Sequence, residues 1–299
     1  MATTTSLTTT YAGKEAGAYI KSAFYANETL KYITVKENID YKQVVRKLVD
    51  TITFADDTCD FTPTGTVTLT ERVLTLEKFQ VHRQLCKNDF LADWQAIEEQ
   101  NDSLNGSLQD AMIANLLGGI AQRNEYLIWQ GVAANAGEYG GFVEVLGADA
   151  TVNVVSSPVA IDSTNVIAKI GLLVAATPTA VKAAAEKPVI YISQNIWEAF
   201  MIANAAAGNG WYTYGGPDMP KSYLGYQLAV CPGMPNNHMV MAQPSNLWFG
   251  TNVLSQWNEI KFLDMSDLDG SDNVRFKARF FAGVQYGFGN EIAAYGSGF

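Results

Sequence analysis

Residues 66–85 read TVTLTERVLTLEKFQVHRQL, a run without Gly or Pro and dense in β-branched and aromatic residues. At about 3.3 Å per strand residue such a run extends to about 60 Å, whereas strands in compact domains hold about five or six residues. A strand of that length projects beyond the body of its subunit or lies on a neighbour. Val67, Leu69 and Val73 share one face, and Thr66, Thr68, Thr70 and Arg72 share the other. Leu74 and Leu76 then put apolar side chains on the formerly polar side, so no single face is buried throughout. A bulged or twisted arm that meets different surfaces along its length accounts for this switch. Two shorter strands joined at Glu71 and Arg72 inside one sheet account for it as well. Upstream, residues 51–58 are strand-like, and residues 59–65, CDFTPTG, have the chemistry of a hairpin tip.

Composition bounds the rest. The chain has 299 residues, 48% of them hydrophobic and 17% charged, enough for one large or two ordinary domains with a sizeable core. A formal net charge of -10 argues against an electrostatic nucleic-acid binder, which needs clustered Lys and Arg. Cys59, Cys86 and Cys231 are odd in number and lack CxxC spacing, so neither a disulfide framework nor a zinc site is expected, and a reducing cytosol is the natural compartment. No basic n-region leads an apolar core, and no stretch approaches the roughly 18 apolar residues of a membrane span.

The Thr-rich opening, residues 1–10, is too polar to pack by itself. Residues 11–50 read as an extended arm with short helices around 14–24 and 41–49. The clearest helix follows the long strand: Ser107 and Asp110 have capping-box-like spacing, Leu108, Met112, Ile113, Leu116, Leu117, Ile120, Leu127 and Ile128 recur at helical spacing, and Gly131 stops it. Gly118 and Gly119 interrupt it, each costing about 1 kcal/mol against Ala, which implies a bend or a close contact. Beyond a Gly- and Ala-rich connection, a β-like run at 151–159 precedes a helix from Asp162 or Ser163 through Val174, a turn at 181–186, a buried strand at 188–192 and a helix at 193–207. This βα alternation marks a second compact unit. Residues 208–220 form a Gly-, Tyr- and Trp-rich loop, and 226–230 a strand. The tail is strand-rich: NLWFG at 246–250, NEIKFLDM at 258–265, an Asp269-Gly270 turn, and a long run at 274–295 in which Arg275, Lys277 and Arg279 alternate with Val274, Phe276, Ala278 and Phe280. That tail reads as an antiparallel ribbon with one wet face.

The search for chemistry returns little. No GxxxxGK, strand-coupled GxGxxG, GxSxG or HExxH pattern is present. His82 sits in the long strand without paired ligand spacing and reads as structural. Cys231 and His238, in CPGMPNNH, suggest a nucleophile and a base, but Pro232 and Pro235 make the stretch a turn-rich loop. Asp264, Asp267, Asp269 and Asp272 lack the full calcium-loop pattern and read as a solvated hairpin. Glu98, Glu99 and Asp102 complement the dipole of the following helix. Phe276, Phe280, Phe281, Tyr286 and Phe288 read as sheet packing rather than base stacking. No residue is assigned to catalysis, a cofactor or a metal, and no cofactor is expected.

The order of parts is a mobile arm, a long β-hairpin, one long helix, a mixed α/β unit and a closing antiparallel ribbon. It resembles the major capsid proteins of tailed phages, the Hong Kong ninety-seven-type α+β capsid fold shared with encapsulins. Two soft motifs carry the resemblance: YLGYQLAVCPGMP at 223–235 followed by NLWFGT at 246–251, and DNVRFKARFFAGVQYGFGNEIAAYG at 272–296. The resemblance implies an N-terminal arm (1–44), an extended hairpin loop (45–94), a peripheral domain with a spine helix (95–161), an axial domain (162–250) and closing peripheral strands (251–299). It implies a structural subunit, not an enzyme, that self-assembles as pentamers and hexamers into an icosahedral virion shell around double-stranded DNA, built in the host cytoplasm. Scaffolding, portal and decoration proteins and non-specific contact with packaged DNA are the further partners implied, with no membrane. Some relatives crosslink their extended loop to a neighbour through a Lys and an Asn, but neither Lys78 nor Lys87 matches that motif, so no crosslink is carried over. With only residues 1–10 ahead of the arm, the scaffold is expected to be separate or already removed. The alternatives are an encapsulin-like nanocompartment shell, a cofactor-free cytosolic enzyme built on the 208–220 loop, and a surface or tail-fibre β protein. Deletion of residues 66–85 is expected to leave a soluble core that forms no closed particles.

Overall fold

The computed structural model describes residues 9–12, 27–39, 41–57, 59, 63–86, 108–207, 221–252, 259–266 and 268–299. It begins with β1 (Thr9–Ala12), β2 (Thr34–Lys36), β3 (Lys42–Ile52), β4 (Gly65–Thr75) and β5 (Glu77–Cys86), then the long helix α1 (Leu108–Gln130). Next come α2 (Phe142–Gly147), β6 (Asn153–Val154), α3 (Val166–Ala176), α4 (Thr179–Ala183), β7 (Val189–Ile192), α5 (Gln194–Ala206), β8 (Ser222–Tyr223), β9 (Tyr226–Val230) and β10 (Met239–Ala242). The chain closes on β11 (Leu247–Gly250), β12 (Glu259–Asp264), β13 (Asn273–Tyr286) and β14 (Ala293–Tyr295).

These strands form three sheets. One runs β1-β12-β13-β11-β2, with β5 also paired to β13. The second runs β6-β14-β10-β7-β9-β8, and the third is the β3–β4 ribbon. In the first sheet Phe276, Ala278, Phe280, Phe79 and Val81 share a face with Ile260, and that face meets Ile120 and Leu127 of α1. Trp129, Phe142 and Tyr191, all fully buried, tie α1 to α2 and to the second sheet, their ring centroids 5.3 and 5.8 Å from one another. Val166, Ile170 and Leu173 of α3 and Ile196, Phe200 and Ala203 of α5 cover Ile190, Ile192, Leu228, Met239 and Met241, a second core. The period of 3.6 on these helices and the all-buried strand β7 are what such a layer requires.

The 66–85 run is almost continuous strand, but its two halves belong to different sheets. β4 pairs with β3 over eleven residues, and β5 pairs with β13 over ten. The break falls at Leu76, not at Glu71 and Arg72, and it joins two sheets instead of lying within one. Leu74 and Leu76 are 0% and 1% exposed and pack with Ile39, Trp248 and Phe281. Their socket is a bare patch of sheet, for Gly250 of β11 stands opposite Gly283 of β13. A Cβ on Gly250 would lie 2.7 Å from Leu76 and 2.9 Å from Leu74, and one on Gly283 would lie 2.5 Å from the Thr75 carbonyl. The polarity switch seen in the sequence is therefore the transition from free ribbon to anchored strand.

Several local expectations change. Of residues 41–49, all but Tyr41 are strand, not helix, because the β4 ladder supplies the backbone partners. That ladder ends at Ile52 and Gly65, so residues 53–57 belong to the tip and not to a strand. The β-like run at 151–159 shrinks to two residues, β6, paired in parallel with β14. The second long run divides between sheets, β13 in the first and β14 in the second. α1 passes through Gly118 and Gly119 unbroken, and among the described residues a Cβ at either would meet nothing within 4 Å. The expected helix at 14–24, the Ser107 cap, Lys87, the acidic trio Glu98, Glu99 and Asp102, Asp267, and the 208–220 loop lie outside the described residues.

Candidate assembly surfaces

The β3–β4 ribbon presents an apolar face that none of the described residues covers. Val44, Ile52, Val67, Leu69 and Val73 share one side of the ladder and are all exposed, Val67 at 62% and Leu69 at 57%. The Arg46–Glu71 pair crosses that face, with Arg46 Nε donating to Glu71 Oε2 at 3.2 Å. At the tip Phe54 is 97% exposed, with Asp56 and Asp57 exposed beside it. At about 3.3 Å per residue the eleven-residue ladder sets that tip about 36 Å from the Leu74 socket.

A polar latch holds the base. Asp149, after α2, accepts from Arg72 of β4 and from the Tyr286 hydroxyl of β13, each at 2.5 Å. Thr151 donates to its other oxygen through backbone and hydroxyl. Burial pushes the Asp149 carboxyl up, but the hydrogen bonds from Tyr286, Thr151 and Arg72 outweigh it, and the net result lies well below the usual carboxylate range. The Arg72 guanidinium also lies 4.7 Å from the centre of the Tyr286 ring.

A buried carboxylate, Glu125, joins α1 to the arm. Glu125 accepts from the backbone N–H of Thr29 at 3.4 Å and from its hydroxyl, and Trp129 Nε1 donates to the same hydroxyl at 2.9 Å. Burial raises the Glu125 carboxyl, and the bonds from Thr29 and Gly233 only partly offset it. Gly233, in the CPGMP stretch, packs so close to α1 that a Cβ there would lie 1.9 Å from the Glu125 carbonyl. No sequence motif announces this contact; the one legible hint is a lone Glu on an otherwise apolar helical stripe.

The residues singled out for chemistry do not converge. His82 is exposed on β5, opposite Lys277 of β13. His238 is buried, its Nδ1 2.8 Å from the Asn236 carbonyl and its Nε2 2.7 Å from the Ser297 carbonyl, so neither nitrogen is directed at a thiol. Cys231 is buried in the main core, which pushes its thiol up, and its sulfur lies against the Ala229 carbonyl. Cys59, Cys86 and Cys231 are free. Asp269 accepts from the Ser271 N–H and hydroxyl, as in a capped turn. Among the described residues no three His, Cys, Asp or Glu side chains cluster as metal ligands, and no helix is long and apolar enough to cross a membrane. Phe276, Phe281 and Tyr286 are buried in sheet packing, and Phe280 meets Phe79 at 5.8 Å.

No family model and no curated protein matches the sequence. Solved structures do match. The capsid of the native GTA particle aligns with a TM-score of 0.65 at 11% identity, covering 99% of this chain and 94% of its own. The satellite phage P4 procapsid aligns at 0.61 and 10% identity over 93% and 97%, and Mycobacterium phage Che8 at 0.57 and 12% over 99% and 94%. Agreement over nearly the whole length of both partners at so low an identity means that the shared feature is the fold, and this chain has the α+β Hong Kong ninety-seven-type capsid fold.

Proposed function

We propose that this chain is the major shell subunit of a tailed phage or phage-like particle, assembling with itself into a closed icosahedral capsid around double-stranded DNA. The observation that carries the reading is the β3–β4 ribbon: a ladder of eleven residue pairs, anchored at Leu74 and Arg72, runs outward with five large apolar side chains exposed on one face. Such a face is costly in a monomer and is stabilised only by a partner. The named structural neighbours come from phage and phage-like particles, which favours a viral shell over an encapsulin-like nanocompartment, and the scattering of Cys231, His82 and His238 favours a structural role over an enzyme.

In this reading the chain divides into an arm (1–41), a projecting hairpin (42–75), a peripheral unit around the first sheet and α1, and an axial unit around the second sheet, with β14 returning to the axial sheet. Scaffolding, portal and decoration proteins and packaged DNA are its further partners. Electron microscopy of the purified full-length chain, with its mass in solution, tests the proposal. Hollow particles or five- and six-membered rings are expected; a chain that stays monomeric at high concentration, in high salt and with a co-expressed scaffold overturns it.

A further inference from the structure

His238 stands between two carbonyl oxygens. Its Nδ1 lies 2.8 Å from the Asn236 carbonyl on its own turn, and its Nε2 lies 2.7 Å from the Ser297 carbonyl, 59 residues away. A carbonyl oxygen only accepts, so both contacts are hydrogen bonds only when both ring nitrogens carry a proton, as in the imidazolium. A neutral imidazole has one N–H, and at these distances its other nitrogen sets a lone pair against an oxygen lone pair. The residue is 6% exposed, so water does not stand in for the missing donor.

The two carbonyls differ in how firmly they are held. On the turn, the Asn237 side-chain oxygen accepts from the Ile161 N–H and from Asn195 Nδ2, and the Asn237 N–H donates back to Asn195. The Ser193 N–H donates to the His238 carbonyl, and β10 starts at the next residue. The other carbonyl belongs to residues 296–299, GSGF, a strap that follows β14 and crosses the end of α2. Met239 faces Tyr295 in the β10–β14 ladder, so His238 falls opposite Gly296, where a Cβ would lie 2.4 Å from the imidazole Cδ2. Gly298, at φ 99°, turns the strap, and its carbonyl passes so close to Gly147 that a Cβ there would lie 2.1 Å away. Ser297 and Gly298 are exposed, and Phe299 is half-buried on the main core with its ring centre 5.6 Å from that of His238.

We propose that His238 is a proton-operated latch on this strap. With both nitrogens protonated it fastens Ser297 to the turn; on giving up one proton it repels a carbonyl, and the strap, the less firmly held side, lifts and takes Phe299 off the core. The latch stands apart from the shell reading. Around the ring, Asn236, Ser193, Gly296 and Ser297 carry no titratable side chain, and the Tyr295 hydroxyl is bonded to Val159. The carboxylates of the packed helices are engaged elsewhere, Glu144 of α2 with the Ala133 N–H and Glu198 of α5 with Gln194. The α-carboxyl group of Phe299 titrates at about 3.3–3.7, below the range in which His side chains change charge.

The test uses the full-length chain between about pH 5.5 and pH 8. Hydrogen exchange of the peptide that ends at residue 299, read by mass spectrometry and corrected for the intrinsic pH dependence of exchange, follows the strap. Nitrogen-15 spectra of the imidazoles, in solution or, for particles, in the solid state, follow the proton; the chain has two His, and His82→Gln tells their signals apart. At the acid end both His238 nitrogens are expected to be protonated and the strap protected. As one proton leaves, strap exchange should rise about tenfold with the same midpoint, which is what one hydrogen bond to a charged donor is worth. His238→Gln does not titrate and should abolish the dependence, whereas His82→Gln should leave it intact. Strap protection that stays constant in wild type, or that changes equally in His238→Gln, overturns the latch. So does a singly protonated His238 under a closed strap. If His238→Gln does not fold, the two wild-type midpoints decide: coincidence supports the latch, and separation overturns it.

Discussion

At the residue scale, two positions carry costs that the fold tolerates for a reason. Glu125 is a carboxylate enclosed by Thr29, Trp129 and the Gly233 loop, and burial raises its pKa. A group whose folded pKa lies above its unfolded value of about 4.3 gives stability that is full below that value and is lost as pH rises through the folded one. Glu125→Gln, uncharged throughout, is therefore expected to gain on wild type as pH rises from 4.5 to 7.5, and urea midpoints of the unassembled subunit at the two pH values measure this. An unchanged difference between the midpoints would mean that Glu125 is charged at no cost. Glu125→Ala is expected to cost about 2–4 kcal/mol at neutral pH, since it strands the buried Thr29 donors. The Gly250 and Gly283 pair is the other position. Gly283→Ala sets a methyl 2.5 Å from the Thr75 backbone carbonyl, which no rotamer relieves. We expect a loss of about 2–4 kcal/mol and release of Leu76, read as protease cleavage near residue 76. Neither cost shows in the sequence as such, because a buried Glu and a tight Gly look like any other until their neighbours across 96 and 33 residues are known.

At the scale of elements, legibility follows periodicity. α1, α5, β7, β9, β11 and the Asp269-Gly270 turn were readable because each carries its own pattern and its own stop signal. The strand at 42–52 was not, because Val44, Val45, Leu48 and Val49 fit a helical stripe as well as a ladder, and only the partner β4 decides between them. The apolar switch at Leu74 was legible and marked the hairpin's anchor, whereas the Asp149 latch, joining positions 72, 149 and 286, was invisible. The latch makes a prediction with a defined sign. The folded pKa of Asp149 is depressed, so its stability is present above the unfolded value of about 3.9 and is lost as pH falls below it. Asp149→Asn should cost about 1–2 kcal/mol at pH 7 and progressively less toward pH 3, with hydrogen exchange at the hairpin base as the local readout. A pH-independent cost would mean that Asp149 acts through packing. In α1, Gly118→Ala and Gly119→Ala meet no neighbour among the described residues and should each stabilise the isolated subunit by up to about 1 kcal/mol. If the same changes block assembly, the space beside the helix belongs to another copy.

At the scale of the whole molecule, the anchor and the reach of the hairpin separate folding from assembly. Deletion of residues 66–85, natural to propose from sequence, removes β5 and the Leu74 and Leu76 plug, and so unfolds the first sheet along with the arm. The structure indicates a cleaner cut. Replacing residues 46–71 by Asn-Gly joins Val45 to Arg72, which already face each other across the ladder, through a two-residue turn suited to right-handed twist. This variant keeps the Arg72–Asp149 latch and both buried leucines, and discards Ile52, Phe54, Val67 and Leu69, all exposed in the subunit. Exposed side chains contribute little to subunit stability, so its melting temperature should match wild type within a few degrees. In a neighbour's grip the same side chains are worth about 1.5–3 kcal/mol each on full burial, a sum of the size needed to offset the entropy lost on association. The trimmed chain should therefore stay soluble and folded and form no closed particles under conditions where wild type does, as sedimentation and electron microscopy will show. Normal particles from it would place the energy of assembly in the sheets and leave the ribbon as an ornament of the shell.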